Sequence, residues 1–280
     1  MPFWKRSRLP PKALPQPQRK TTAFGVVRDI GRVRNTNQDH LFAMLTALPG
    51  PADPLTLGLF IVADGMGGHT GGAVASARAV EIVADRVLQG LLLPVLRGEQ
   101  PEAIQHVLRQ AVLTANRRIL EEAAREGSDM GTTVTSVLIL GERLHVAHVG
   151  DSRVYAYGAE GLQCHTRDHS MVARLQELGQ ITPEEARRHP KRNYLYQSVG
   201  QQKEIEPDIA SYPLRGCSHL LLCSDGLWGS VEDNTLAQML ASGEEPQVIC
   251  ERLAAQANAA GGEDNISIIV VAFPPEIAAP

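Results

Sequence analysis

Leu59-Phe60-Ile61-Val62-Ala63-Asp64-Gly65-Met66-Gly67-Gly68-His69 decides how this chain is read. Five consecutive apolar residues, bounded by Gly58 on one side and Asp-Gly on the other, predict a buried strand whose end delivers Asp64 to a cleft. Gly65, Gly67 and Gly68 let the backbone turn tightly and leave room for close approach. An ionised carboxylate at the mouth of a core strand is costly unless a cation or hydrogen-bond donors meet it. Asp-Gly by itself is an ordinary turn pair, so the weight rests on whether the pattern recurs.

It recurs twice. Leu220-Leu221-Leu222-Cys223-Ser224-Asp225-Gly226 is a second apolar strand ending in Asp-Gly, and Leu144-His145-Val146-Ala147-His148-Val149-Gly150-Asp151-Ser152 ends in Gly-Asp. Asp39, in Arg34-Asn35-Thr36-Asn37-Gln38-Asp39, and Asp264, in Gly261-Gly262-Glu263-Asp264-Asn265, extend the set. Like charges about 4 Å apart repel by about 4 kcal/mol per pair at an effective dielectric near 20. Such a cluster implies divalent cations, and oxygen-only ligands select hard ones, magnesium or manganese.

Taken with Met130-Gly131-Thr132-Thr133, these motifs resemble the metal-dependent protein phosphatases of type 2C, the PPM family, in their compact bacterial form. The likeness runs from about Thr22 to Phe273. It implies an α+β fold, a four-layer αββα sandwich in which two mostly antiparallel sheets are flanked by helices. It also implies that Asp64 bridges two Mn2+ or Mg2+ ions and that Gly65 lends its backbone carbonyl. Asp39, Asp225 and Asp264 would complete the shells directly or through waters, and Asp151 with Asp225 would hold a third ion. Arg34 would grip the substrate phosphate, since a planar guanidinium can hold two phosphate oxygens at once. Asn265 would order a water.

The activity so implied is hydrolysis of phosphoserine and phosphothreonine by a metal-activated water, without a phosphoenzyme. Eukaryotic members often carry a histidine directly after Asp-Gly as proton donor; here that position is Met66, which leaves His69 or a bound water as candidate donors. Asp168 either caps the helix that follows it or helps hold a further cation. The alternative of a different class is an inactive phosphopeptide-binding module on the same fold. It predicts lost metal carboxylates, and all five are present. A nucleotide cradle is poorly supported, because Gly65-Met66-Gly67-Gly68-His69-Thr70 lacks the third glycine of G-x-G-x-x-G and no Gly-Lys-Ser or Gly-Lys-Thr follows.

Composition sets the outer limits. A chain of 280 residues with 43% hydrophobic content can build one large core, burying roughly 70 to 75% of its unfolded surface. Residues 1–20 hold six basic residues and no acid, leaving 21 basic against 31 acidic residues elsewhere. With prolines at 2, 10, 11, 15 and 17, that segment is expected to be a disordered arm. The phosphatase domain is expected over 21–273, and 274–280 as a loose tail. Net charge of −4 gives no footprint for nucleic acid. Cys164, Cys217, Cys223 and Cys250 show no metal or disulfide spacing, so a reducing cytoplasm is expected. No apolar run is long enough for a membrane span. Phosphorylated proteins, serine/threonine kinases or their substrates among them, are the expected partners of a monomer.

In chain order, Thr22 to Asp29 is predicted as a first strand, Gly71 to Leu92 and Pro101 to Arg125 as amphipathic helices, and Met130 to Leu140 with Leu144 to Val149 as a hairpin. Arg153 to Tyr157 follows as a strand, and Asp168 to Arg192 as a polar stretch with short helices, the counterpart of the family's mobile flap. Ile205 to Tyr212 and His219 to Cys223 read as strands. Two further helices, opened by Asp233 and Pro246, lead to a last strand over Ile266 to Phe273. His145 and His148, three apart on a strand of period two, face opposite sides and are expected to be structural.

Overall fold

A computed structural model describes residues 21–48, 54–68, 70–182, 185–186 and 189–274. The expected arm at 1–20, the tail from 275 onward and His69 lie outside the described residues. The chain opens with strands β1 (Ala23–Asp29), β2 (His40–Leu48), β3 (Leu55–Ala63) and β4 (Gly65–Met66). Helix α1 (Gly71–Val87) passes through a π-helical turn at Leu88–Leu92 into the single turn α2 (Leu93–Leu96), and α3 (Ile104–Glu126) follows. Then come β5 (Gly131–Thr132), β6 (Val134–Leu140), β7 (Arg143–Val149), β8 (Arg153–Gly158), β9 (Gly161–Cys164) and α4 (Met171–Glu177). The chain continues through β10 (Asp208–Pro213), β11 (Cys217–Cys223), α5 (Asp225–Trp228), α6 (Asp233–Leu240), α7 (Pro246–Ala259) and β12 (Ile266–Ala272).

Two five-stranded sheets result, in the orders β1-β12-β11-β8-β9 and β10-β7-β6-β3-β2, with antiparallel pairing throughout. Side chains alternate along each strand, and the alternation sorts the core into three layers. On β3, Leu59 and Ile61 pack against Val83 of α1 and Val112 of α3. Phe60 and Val62 point the other way, against Leu220, Leu222, Ile269 and Val271 of the facing sheet. On the far side of that sheet, Leu221, Cys223 and Ile268 meet Leu236 of α6 and Ile249 and Leu253 of α7. The order is therefore helix, sheet, sheet, helix. Asp64 has the parity of Phe60 and Val62, so the strand that builds the core also carries this carboxylate toward the seam between the sheets.

Several elements differ from expectation. β2 is an edge strand whose residues are nearly all half-exposed, and its apolar run lacks the alternation that marks a strand. β8 does not extend the β6–β7 hairpin. Gly150, at φ 114, turns the chain across to the other sheet, where β8 pairs with β11 and β9. Pro101 precedes α3, whose N-cap is Ala103; Gly127 ends the helix in the left-handed conformation at φ 63. α4 is capped by Ser170 Oγ, which accepts from the Ala173 amide, and not by Asp168.

Candidate metal centre

Asp64 is fixed by its backbone. Its amide donates to Thr133 Oγ1 at 2.9 Å, and its carbonyl accepts from Thr132 Oγ1 at 2.8 Å and from the Thr133 amide at 2.9 Å. Gly65 follows in β4, paired with Thr132. A Cβ at Gly65 would overlap the carbonyl oxygens of both Gly72 and Gln38, so the start of α1 and the segment before β2 can close on it only because it has no side chain. That closure brings Asp39 beside Asp64.

Asp39 is fully buried. Its Oδ2 accepts from Ser224 Oγ at 2.8 Å, and its carbonyl accepts from Arg28 Nε at 2.6 Å. Ser224 directly follows β11, and the next residue, Asp225, opens α5. Asp64 lies beside both Asp39 and Asp225. Burial first, then the charge of Asp264, pushes the Asp39 carboxyl up to about 6. Burial, Asp264 and Asp39 push Asp225 up to about 7. Burial, followed by repulsion from Asp39, Asp225, Asp151 and Asp264, holds Asp64 well above the usual carboxylate range. Asp151 is likewise raised, by burial and then by Asp225 and Asp168. Strand ends far apart in sequence therefore converge on one point of concentrated negative charge.

Divalent cations fit this arrangement. Asp39 Oδ1 and Asp225 Oδ1 are buried with no hydrogen-bond partner, a state that is costly for a charged acceptor. The candidate donors are carboxylate oxygens and the Gly65 carbonyl, oxygen throughout, which suits magnesium or manganese. Among the described residues no group of three or more His, Cys, Asp or Glu side chains is disposed to hold an ion unaided. Ions of this class commonly take only one or two carboxylates and keep several waters, so an open, water-completed shell fits better than a closed cage.

The other expected site residues are placed less uniformly. Arg34 stands at the rim, its side chain half-exposed, and donates from Nη2 to Asp264 Oδ2 at 2.7 Å. Asp264 Oδ1 accepts from the Asn265 amide at 2.8 Å, so both oxygens of Asp264 are engaged. Asn265 Oδ1 accepts from the Gln38 amide, and Nδ2 donates to the carbonyls of Ile30 and Thr36. Its side chain thus braces the loop that carries Arg34 and Asp39. Asp168 forms a two-point pair with Arg153, at 2.9 and 2.7 Å. The Arg153 guanidinium in turn lies 3.6 Å above the Trp228 ring. Trp228 Nε1 donates to the Asp151 carbonyl at 3.0 Å, tying this group to the Asp151 loop. Asp151, Arg153, Asp168, Asp225, Trp228 and Asp264 line a cleft of about 460 Å³.

His148 bonds Thr135 Oγ1 and the Arg167 carbonyl, whereas His145 bonds Ser211 Oγ; both are taken up in structural contacts. Sequence reasoning missed Ser224, Thr133 and Arg153 as supports of the carboxylates. The signal for Ser224 was available: two residues beyond Leu222, it must face the same inter-sheet side.

A family model described as protein phosphatase 2C matches residues 36–260. The chain belongs to the protein phosphatase 2C family. Among phosphatase 2C relatives, it is 34% identical over 247 residues to the serine/threonine phosphatase stp of Listeria monocytogenes, covering 87% of this chain and 92% of that protein. It superposes on the crystal structure of the Mycobacterium tuberculosis serine/threonine phosphatase PstP/Ppp with a TM-score of 0.76 and 32% identity, covering 91% of this chain and 99% of that one. A structure of the PstP catalytic domain in complex with two manganese ions gives a TM-score of 0.74 at 31% identity, with 91% and 99% covered.

Proposed function

We propose that the protein hydrolyses phosphoserine and phosphothreonine esters at the carboxylate cluster, with Asp39, Asp64, Asp225 and Asp264 and the Gly65 carbonyl holding two Mn2+ or Mg2+ ions. The observation that carries this is the pair of buried, partnerless oxygens, Asp39 Oδ1 and Asp225 Oδ1, around Asp64. Uncatalysed phosphate-monoester hydrolysis is so slow that enzymes reach accelerations of about 10²¹-fold. Two divalent ions supply an activated water and offset the charge that builds on the phosphoryl oxygens.

The chain's own residues do the rest. Arg34 exchanges its contact with Asp264 for two phosphoryl oxygens, which orients the ester at the rim of the cleft. Asp151 with Asp225 forms a third cation position. Met66 cannot donate a proton, so protonation of the leaving alkoxide falls to His69 or to solvent. Phosphorylated serine/threonine kinases or their substrates are the partners that fit this chemistry, met by a monomer in the cytoplasm, where four unpaired thiols are at home. No helix among the described residues is long and apolar enough to cross a membrane. The inactive-binder alternative gains no support, since the carboxylates are in place and the relatives are named as phosphatases.

The test is phosphate release from a nitrophenyl ester and a phosphothreonine peptide, with manganese and with chelator. Turnover should require manganese and vanish in Asp64→Asn, with circular dichroism unchanged. Manganese-independent turnover, or an active Asp64→Asn protein, would overturn the assignment.

A further inference from the structure

Ser224 is fully buried at the end of β11, where strand parity turns it toward the facing sheet together with Leu220 and Leu222. On the neighbouring β12, Ser267 shares the inward parity of Ile269 and Val271. The Ser267 amide donates to Ser224 Oγ at 2.9 Å. That bond uses one lone pair and leaves the hydroxyl proton to choose an acceptor. Asp39 Oδ2 stands at 2.8 Å and the Asn265 carbonyl at 3.4 Å, so the shorter bond to Asp39 takes it. The other oxygen, Asp39 Oδ1, makes no hydrogen bond, although the Ser267 hydroxyl and the Asp64 side chain also stand near the Asp39 carboxyl.

We infer that Ser224 is a positioning residue of the metal centre, holding Asp39 Oδ2 so that Oδ1 is the oxygen presented to a divalent ion. This rests on the reading of Asp39 as a metal ligand given above. The β12 amide aims the hydroxyl, the hydroxyl aims the carboxylate, and the residue after Ser224 is Asp225. One peptide link thereby sets the spacing of two carboxylates that hang from opposite sheets. Turning Oδ2 inward without exchanging the two oxygens would leave the Ser224 proton only the longer contact to the Asn265 carbonyl. Outer partners of this kind commonly change metal affinity by about 10- to 100-fold when removed.

The experiment is a manganese titration of the full chain, followed by calorimetry and by the paramagnetic resonance signal of free manganese. Ser224→Ala should weaken manganese binding by about 10- to 100-fold. In an Asp39→Asn background the same change should cost less than about threefold, because its effect travels through Asp39. If Ser224→Ala does not fold by circular dichroism, Ser224→Cys fills the same space with a weak donor and carries the same expectation. Wild-type affinity in the folded variant, or an equal further loss in the Asp39→Asn background, overturns the inference while leaving the site assignment standing. A wild-type chain that binds no manganese removes the site assignment itself, and this inference with it.

Discussion

Replacing Asp225 by asparagine should stabilise the metal-free protein while abolishing its response to manganese. In the fold the Asp225 carboxyl is pushed from an ordinary 3.8 up to about 7, chiefly by burial and then by Asp264 and Asp39. A raised folded-state value means that the unfolded chain releases this proton first. The penalty is therefore absent below about pH 4, grows as pH rises, and is complete above about pH 7. A displacement of about 3 pH units corresponds to about 4 kcal/mol at most. Asp225 keeps one side open to the cleft, and its neighbours share the repulsion, so about half of that, about 2 kcal/mol, is the working figure. For a domain of this size that is about 4 to 8 °C in melting temperature. The assay is calorimetry of both proteins in chelator at pH 5 and pH 8, then with manganese. Asp225→Asn should melt higher than wild type at pH 8, with the gap narrowing at pH 5. Manganese should raise the wild type and leave the variant nearly unmoved. A variant that melts lower at pH 8, or a gap that ignores pH, would refute the view that the carboxylates repel one another in the absence of a cation.

Arg34→Ala should raise KM for phosphopeptides far more than it lowers kcat, and unchanged kinetics would take Arg34 out of the site. Gly65→Ala drives a methyl into two carbonyl oxygens and should cost about 3 kcal/mol in urea unfolding, with loss of manganese binding. His148 is held neutral by burial, its imidazole lowered from 6.5 to about 3. That stabilisation is complete above pH 6.5 and erodes as pH falls, by about 2 kcal/mol at pH 5, so His148→Gln should flatten the loss of stability between those two values. Arg153→Lys gives up the two-point grip on Asp168 and the stacking on Trp228. It should lower stability by about 1 to 3 kcal/mol, read by thermal melting.

The layers were legible wherever the period was clean. β3, β11 and β12 are runs of apolar residues flanked by glycine or acid, and α1 and α3 carry unmistakable stripes, so two sheets with outer helices follow from pattern. β2 escaped because an edge strand with half-exposed apolar residues has neither a strict alternation nor a bounded buried run. The crossing at Gly150 escaped because a short connection reads as a hairpin, and only the pairing of β8 with β11 and β9 reveals the change of sheet. Asp64, Asp151, Asp225 and Asp264 could be picked from the sequence because each lies beside the end of a core strand, whereas Asp39, ahead of the edge strand β2, was picked from the motif that begins at Arg34. Of their holders only Ser224 left a signal, the inward parity it shares with Leu222; Thr133 and Arg153 act through partners distant in the chain, and such pairing leaves no local signature. Asp168 shows the same limit: its neighbour in sequence is a helix, but its partner is Arg153.

The sandwich makes the interior a gauge block. Asp39 and Asp64 belong to the ends of one sheet, Asp225 and Asp264 to the ends of the other, and Asp151 to the connection that crosses between them. The gap between the two sets is fixed by the girth of Phe60, Val62, Leu222 and Ile269, none of which meets solvent or substrate. Shaving one of these residues would leave every carboxylate untouched and still let the two halves of the cluster drift toward each other, so calibration of the active centre is written partly in greasy side chains remote from any chemistry.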